Sequence, residues 1–314
     1  MKLQRWLPCL DWAATYDRVT AGKDGLAAVI VTLMLIPQSL AYAMLAGLPP
    51  ITGLYASIAP LFLYAIFGSS RTLAVGPVAV ISLMTAAALG PLFAAESAAY
   101  IGAAMLLAAL SGLILLLMAL LRLGFLANFL SHPVISGFIS ASGLLIALSQ
   151  FKHILGVKAD GQTVLQLLPA LAEQVPLVNL PTLLIGGLCL LFLQLSRTHL
   201  KGWLLQLGCT PTWTDSLTKM GPVVTIIVSV VVVTLGNLES SGVQVVGAIP
   251  EGLPVLRLPT LDWQLAVQLL PAALLISLVG FVESVSVAQT LAAKRRERID
   301  PDQELVGLGA ANIA

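Results

Sequence analysis

The sequence predicts an all-α polytopic membrane protein, and three observations carry that prediction. Its 314 residues have a mean hydropathy of +0.96, and 58% of them are hydrophobic while only 10% are charged, against roughly 25% charged residues in soluble domains. Several apolar windows of about 20 residues are each long enough for a helix to cross a hydrocarbon core of roughly 30 Å. All sixteen Lys and Arg residues fall between these windows.

Composition and motifs exclude several other classes of protein. The net charge is +1 and there is no basic block beyond residues 294–298, so the sequence does not indicate a nucleic-acid-binding surface. The three cysteines and three histidines are scattered without metal or disulfide spacing, so we expect no metal site and no cofactor. The sequence has no P-loop, and residues 140–143 lack the first glycine of a serine-protease-like turn. We therefore expect that the protein is not an enzyme.

Residues 1–23 form an N-terminal segment that we predict to lie at the cytosolic membrane interface. Trp6, Trp12 and Tyr16 are interspersed there with basic residues, a pattern typical of anchoring at the headgroup level. Pro8 interrupts any apolar signal region, which argues against a signal peptide.

Eight membrane segments are predicted to follow, at residues 26–45, 51–67, 76–89, 97–121, 133–150, 180–195, 221–235 and 265–293. The third is shorter than a spanning helix requires. If the N-terminus is inside, thirteen of the sixteen basic residues lie inside, and only Lys152, Lys158 and Arg257 lie outside. This split follows the positive-inside rule. We therefore predict a multi-pass protein of the cell (inner or plasma) membrane with a cytoplasmic N-terminus.

The third segment carries the signal of a broken helix. Residues 72–75 have an extended character, and Gly76 and Pro77 then precede a helix-forming run. Proline at the first helical position would use an N–H that has no helical partner anyway. The amides after Pro77 would then be free donors at the positive end of a helix dipole, which is a ready anion site inside a membrane protein. The alternative is an ordinary proline-kinked span.

The first segment carries a polar insert. Gln38 and Tyr42 are four residues apart and so lie on one face of the helix. Their amide and hydroxyl groups can wall an anion cavity. Alternatively, they hold helices together, as polar side chains in membrane bundles do.

Of the fifteen acidic residues, Glu283 is the one that the sequence places away from bulk water, inside the eighth segment. A charged carboxylate at mid-bilayer costs roughly 3 kcal/mol, so such a group is neutralised, paired or turned toward a polar cavity. A structural carboxyl between helices is one interpretation. A coupling site is the other, and we favour a proton because burial disfavours the charged form. Sodium would need more oxygens than Ser286 supplies, since Val287 has none.

The first and eighth segments share a short similarity. Residues 37–43 align with residues 282–288 and put Gln38 on Glu283. With seven segments between the two starts, the eighth enters the membrane from the opposite side, which is the signature of an inverted repeat. We therefore predict a first repeat of seven segments at residues 24–240. Residues 241–314 would begin the second repeat with the eighth segment and the start of the ninth, so that the chain is a fragment.

These residues resemble the SulP (sulfate permease) family of anion transporters. The matching stretches follow the order and spacing of that family, and they are residues 35–43, 46–55, 68–71, 75–84, 247–254 and 283–288. The resemblance covers nearly the whole chain and is densest over residues 24–90 and 245–314. It implies a seven-plus-seven inverted repeat divided into a core (transport) domain and a gate (scaffold) domain. The tenth helix and the cytosolic STAS domain of that family are not among these residues.

The resemblance also implies a substrate site between the starts of the third and tenth helices, completed by the first and eighth. The predicted substrate-binding residues are Gln38, Tyr42, Pro77, Val78, Ala79, Glu283 and Ser286. In this set Val78 and Ala79 match backbone donors of the third helix, and Glu283 matches the acidic position of the eighth. Glu283 is also the predicted coupling residue.

The function predicted is secondary active transport of a small inorganic oxyanion, with sulfate favoured, by proton-coupled symport and alternating access. A bicarbonate or dicarboxylate transporter, sodium coupling, an anion channel and a nucleobase carrier are the alternatives. The expected partners are the anion, the coupling proton or sodium, and the lipid bilayer. We expect no nucleic acid, and a homodimer for the full-length protein.

Overall fold

The computed structural model describes residues 7–14, 16–128, 132–157, 164–206, 220–245 and 262–314, and the single residues 159, 208, 210, 214, 218, 247 and 252. These residues form helices, turns and loops, with no strand among them, which confirms the predicted all-α class. The N-terminal residues 1–6, and most of the family-like stretch at 247–254, lie outside the described residues.

The α-helices run in chain order as α1 (Cys9–Ala13), α2 (Arg18–Leu45), α3 (Pro50–Tyr55), α4 (Ala59–Phe67), α5 (Ala79–Leu89), α6 (Ala98–Leu120), α7 (His132–Leu155), α8 (Val164–Gln174), α9 (Leu180–Leu195), α10 (Lys201–Gln206), α11 (Gly221–Leu235), α12 (Trp263–Arg295) and α13 (Pro301–Ile313). Short 3₁₀ turns lie at Leu123–Asn128, Val175–Leu177 and Leu238–Ser241, and a π-helical turn lies at Ser196–Leu200.

Within the described ranges, five helical stretches are long and apolar enough to cross a membrane, and they are Arg18–Leu45, Pro50–Phe67, Ala98–Leu120, Leu180–Gln206 and Trp263–Arg295. Leu180–Gln206 runs eleven residues past the predicted end at residue 195, and two other differences have a clear cause. Helix α2 starts eight residues early, because the Asp17 side chain accepts a hydrogen bond from the Thr20 amide and caps the helix. The predicted second span is two helices, since Pro60 lies in the first turn of α4 and cannot donate to a preceding turn.

The chain divides into two compact units. The first comprises Met1–Gly22, Ile36–Ser140 and Ile249–Ala314, and the second comprises Lys23–Leu35 and Ala141–Ala248. The predicted division into inverted repeats concerns internal symmetry, which these units do not address, and it stays a prediction.

The core of the first unit is built by α4, α5, α6, α12 and α13. One apolar cluster joins Tyr64, Leu115, Phe281 and Leu305, and another joins Leu89 and Leu106 to the first half of α12. Small residues let the helices approach closely. A Cβ on Gly112 of α6 would lie 2.8 Å from the Gly309 carbonyl oxygen of α13, so glycine is required at this crossing.

The second unit includes α8, α9, α10 and α11. Asn179 ties its loops together: its Oδ1 accepts from the Thr182 amide at 2.9 Å, and its Nδ2 donates to the Ser241 carbonyl at 2.8 Å. Many leucines of α9, such as Leu184, Leu188 and Leu191, are exposed. An apolar exposed helix of this kind suits contact with lipid.

Candidate functional site

The start of α5 forms the first part of the candidate site. Val78 is the N-cap residue with extended backbone angles (φ −123°, ψ 137°), and no side chain caps the helix. The Val78 carbonyl accepts from the Ser82 amide at 2.9 Å. The amides of Ala79 and the next residues have no acceptor within the helix, so they are donors at the positive end of its dipole.

Pro77 does not occupy the first helical position, and that prediction is wrong. The helix begins at Ala79, two residues later than predicted. Val78 is β-branched and keeps an extended backbone, so it serves as the cap and Pro77 precedes it. Residues 68–78 contain neither helix nor strand. This agrees with the extended character predicted for residues 72–75.

Glu283 of α12 lies at about the same height along the helix axes as the start of α5. A Cβ on Gly280 would lie 3.6 Å from the Ile81 side chain, near the beginning of α5. Leu89, at the other end of α5, shares a cluster with Leu269 near the beginning of α12. The two helices therefore run in opposite directions. Glu283 lies one turn beyond Gly280, in the direction of the uncapped amides.

One oxygen of the Glu283 carboxyl group is shielded and unsatisfied. Its Oε2 atom is buried and has no hydrogen-bond partner among the described residues. A buried polar atom in this state is unfavourable unless the group is neutral or a ligand supplies a partner. The neighbouring Ser286 does not supply one with its proton, because its hydroxyl donates to the Val282 carbonyl at 2.7 Å.

On α2, the predicted site residues Gln38 and Tyr42 lie beside a buried contact made by Ser39. Ser39 is fully buried, and a Cβ on Gly53 would lie 2.0 Å from its carbonyl oxygen. The Ser39 hydroxyl is hydrogen-bonded to the Ser57 hydroxyl in the turn after α3. Gln38 is exposed and Tyr42 is half-buried, on the adjacent face of the helix. All seven predicted site residues belong to the first compact unit.

Sequence reasoning missed a second shielded carboxylate, Glu304 of α13. Its side chain is fully buried, so Glu283 is not the one acidic residue away from water. Its oxygens accept hydrogen bonds from Tyr64 Oη at 2.5 Å, Ser69 N at 2.9 Å, Ser69 Oγ at 2.7 Å and Ser70 N at 2.9 Å. Nothing in its local sequence marks it as buried, because its hydrogen-bond donors lie 234 to 240 residues earlier in the chain.

Metal binding has no support in the described part of the chain, where no group of three or more His, Cys, Asp or Glu side chains is placed to hold an ion. The hydrogen-bond donors of the candidate site are backbone amides and neutral polar side chains.

An uncapped start of a short helix, preceded by irregular backbone, is a feature found in helical membrane transporters. The chain belongs to the Sulfate permease family, whose sequence model matches residues 22–314. This is a family of transporters, which confirms that the protein is not an enzyme.

Several curated proteins are similar over the whole chain. It is 40% identical to "Sulfate transporter 4.1, chloroplastic" of Arabidopsis thaliana, covering 100% of this chain and 45% of that protein. It is 36% identical to "Probable sulfate transporter Rv1739c" of Mycobacterium tuberculosis, covering 98% and 52%. It is 33% identical to the "Sodium-independent sulfate anion transporter" of Bos taurus, covering 99% and 53%. The chain thus spans about half the length of these relatives.

Two solved structures share the fold. The structure of SLC26A9 superposes with a TM-score of 0.83 at 25% identity, covering 99% of this chain and 50% of that one. The transmembrane domain of the cyanobacterial bicarbonate transporter BicA superposes with a TM-score of 0.75 at 22% identity, covering 95% and 72%. Both confirm the predicted polytopic helical fold.

Proposed function

We propose that the full-length protein is a secondary active transporter that carries sulfate, or a similar small oxyanion, together with protons by alternating access. The observation that carries the proposal is the uncapped start of α5, level with Glu283 on α12. Because the chain spans about half the length of its relatives, the proposal concerns the full-length protein.

The anion is bound, in this proposal, by the Val78 and Ala79 amides that follow Pro77. Anions are favoured at a helix start because several N–H groups converge there and the dipole is positive. Gln38 and Tyr42 add neutral donors from α2. Sulfate is favoured among oxyanions because three similar proteins are named as transporters of it.

The coupling ion is a proton carried by Glu283. Its unpartnered Oε2 suits a carboxyl that is protonated when the anion enters, so that two negative charges do not share one cavity. Close to Glu283 on α12, Ser286 can offer one hydroxyl oxygen and Val287 has none, so this helix supplies few ligands for sodium. The bovine relative is named sodium-independent, which favours the same choice.

We assign different roles in transport to the two compact units. All seven predicted site residues fall in the first unit, which we propose as the core (transport) domain, with the second unit in the gate (scaffold) domain. We propose further that the N-terminus is cytoplasmic in a cell membrane and that the full-length protein is a homodimer.

Uptake of radiolabelled sulfate into proteoliposomes tests the proposal. We expect saturable uptake that excess unlabelled sulfate suppresses, that an inward proton gradient stimulates, and that does not respond to sodium. Protein-free liposomes are the control. Stimulation by sodium at fixed pH would contradict proton coupling. Competition by bicarbonate, a dicarboxylate or uracil, with no competition by sulfate, would contradict the substrate. Large unitary currents would indicate a channel.

A further inference from the structure

Glu304 joins α13 to the chain that leads into the candidate anion site. Its Oε1 accepts from both amides of Ser69 and Ser70 and from the Ser69 hydroxyl, while Oε2 accepts from the Tyr64 hydroxyl. All four groups are donors, and an ionised carboxylate has the acceptor capacity for all of them. The side chain is fully buried, so water does not compete for these bonds.

Two further contacts of α13 hold the same stretch of backbone. Gln303 Nε2 donates to the Phe67 carbonyl at 2.6 Å. A Cβ on Gly307 would lie 2.8 Å from the Cα of Gly68, so the two backbones touch. Residues 67–70 are therefore fixed by one short face of α13, with Glu304 at its centre.

The contacts of Ser70 and of the residues after it connect this fixed backbone to the start of α5. The Ser70 hydroxyl oxygen accepts from the Leu73 amide at 3.2 Å and lies 3.4 Å from the Thr72 amide. The side chains of Leu73 and Val75 pack against the apolar cluster that contains Phe281 and Val285 of α12. After these residues come Pro77 and the N-cap Val78.

Residues 68–78 have no helix or strand of their own. Their path, and hence the place where α5 starts, is set by side-chain contacts rather than by a repeating backbone ladder. The strongest of these contacts are the charge-assisted hydrogen bonds to Glu304, which are about twice as strong as neutral ones.

We propose that Glu304 is a positioning residue for anion binding, which fixes residues 69–70 and through them the uncapped start of α5. This inference rests on the proposed function, because it concerns how that site is held in place. Glu304 itself does not touch the anion.

Equilibrium binding of radiolabelled sulfate to the purified full-length protein tests this role, with uptake rate and melting temperature measured alongside. Glu304→Ala should raise the dissociation constant by about ten- to a hundredfold, since small displacements of a binding group have effects of that size. Glu304→Gln should rescue most of the affinity. Its carbonyl oxygen can replace Oε1, and its amide can donate to the Tyr64 hydroxyl, which also accepts.

Two variants separate positioning from general stability. Ser70→Ala leaves Glu304 intact but removes the acceptor for the Leu73 amide, and it should weaken binding about two- to tenfold. Asp302→Ala is the matched control, because Asp302 lies on the same turn and accepts from the Gly124 amide at 2.8 Å, away from residues 69–70. It should lower the melting temperature and leave sulfate affinity unchanged.

The outcomes are distinct. Unchanged affinity in folded Glu304→Ala would overturn the inference, as would an equal loss of affinity in Asp302→Ala. If Glu304→Ala does not fold, unchanged affinity in Ser70→Ala overturns it instead. Absence of saturable sulfate binding in the wild-type protein would overturn the proposed function itself, and this inference with it.

Discussion

The hydroxyl of Ser39 lies 2.6 Å from the hydroxyl of Ser57, and both groups are buried. The Ser57 hydroxyl also bonds the Gly53 carbonyl at 2.8 Å. This contact fixes which face of α2 meets the turn after α3. It leaves Gln38 and Tyr42 on the adjacent face of the helix.

Gly53→Ala should strongly destabilise the protein. Its new Cβ would lie 2.0 Å from the Ser39 carbonyl oxygen, and a backbone atom cannot move away as a flexible side chain can. We expect a loss of at least about 2 kcal/mol, in the range of overpacked cores, seen as a lower melting temperature in detergent. Gly102→Ala is the control, because nothing lies within 4 Å of its Cβ. A loss of similar size there would contradict the steric argument.

Gln38→Ala and Tyr42→Ala should each weaken apparent sulfate affinity by about tenfold, the effect of one hydrogen bond to a charged group. Their melting temperatures should stay close to that of the wild type. Ser39→Ala should show the opposite pattern, with lower stability and normal affinity in the folded fraction. Unfolding of both Gln38→Ala and Tyr42→Ala, with normal affinity in the protein that survives, would support the helix-contact role instead.

Ala79→Pro tests the backbone donors directly. Proline is well tolerated at the first helical position, and the extended backbone of Val78 already suits the residue before a proline. The change removes the Ala79 N–H, so sulfate affinity should fall by about tenfold or more. Ala79 is only 4% exposed, so Ala79→Val serves as the control for added bulk.

Val78→Pro should be more severe than Ala79→Pro, because proline also demands a φ near −65°, whereas Val78 adopts −123°. Val78→Ala should be mild, since the donor is the backbone. Near-normal uptake by both proline variants would refute the backbone-amide site.

Glu283→Gln should bind sulfate but lose the stimulation of uptake by an inward proton gradient. The amide keeps the shape of the side chain and cannot carry the proton. Uptake measured with and without the gradient at fixed internal pH checks this. Glu297→Gln is the matched control, since that carboxyl is exposed beyond the end of α12. Persistent gradient stimulation in Glu283→Gln would rule out this coupling role.

The sequence was sufficient for the features that depend on composition and local pattern. Apolar windows predicted the helical membrane class, and the Gly76–Pro77 signal located the break before α5. The exact helix start was missed because it depends on the backbone angles of Val78. The break between α3 and α4 was missed because the apolar run across it looks continuous. Pro60, in the first turn of α4, was the residue that marked it.

Glu304 could not be found in the same way. Its donors at Tyr64, Ser69 and Ser70 lie 240, 235 and 234 residues earlier in the chain. Local hydropathy places this glutamate in a polar helix start, where acidic side chains are common. Only the packing of α13 against α4 turns it into a buried group.

The long separation between Ser70 and Glu304 has a consequence for biosynthesis. At about 5–20 residues per second, the ribosome needs roughly 10–50 s to make the 234 residues between them. During that interval the Ala141–Ala248 part of the second unit is synthesised, and residues 69–70 lack their carboxylate acceptor. The start of α5 therefore takes its final position late, after most of the helices have left the ribosome.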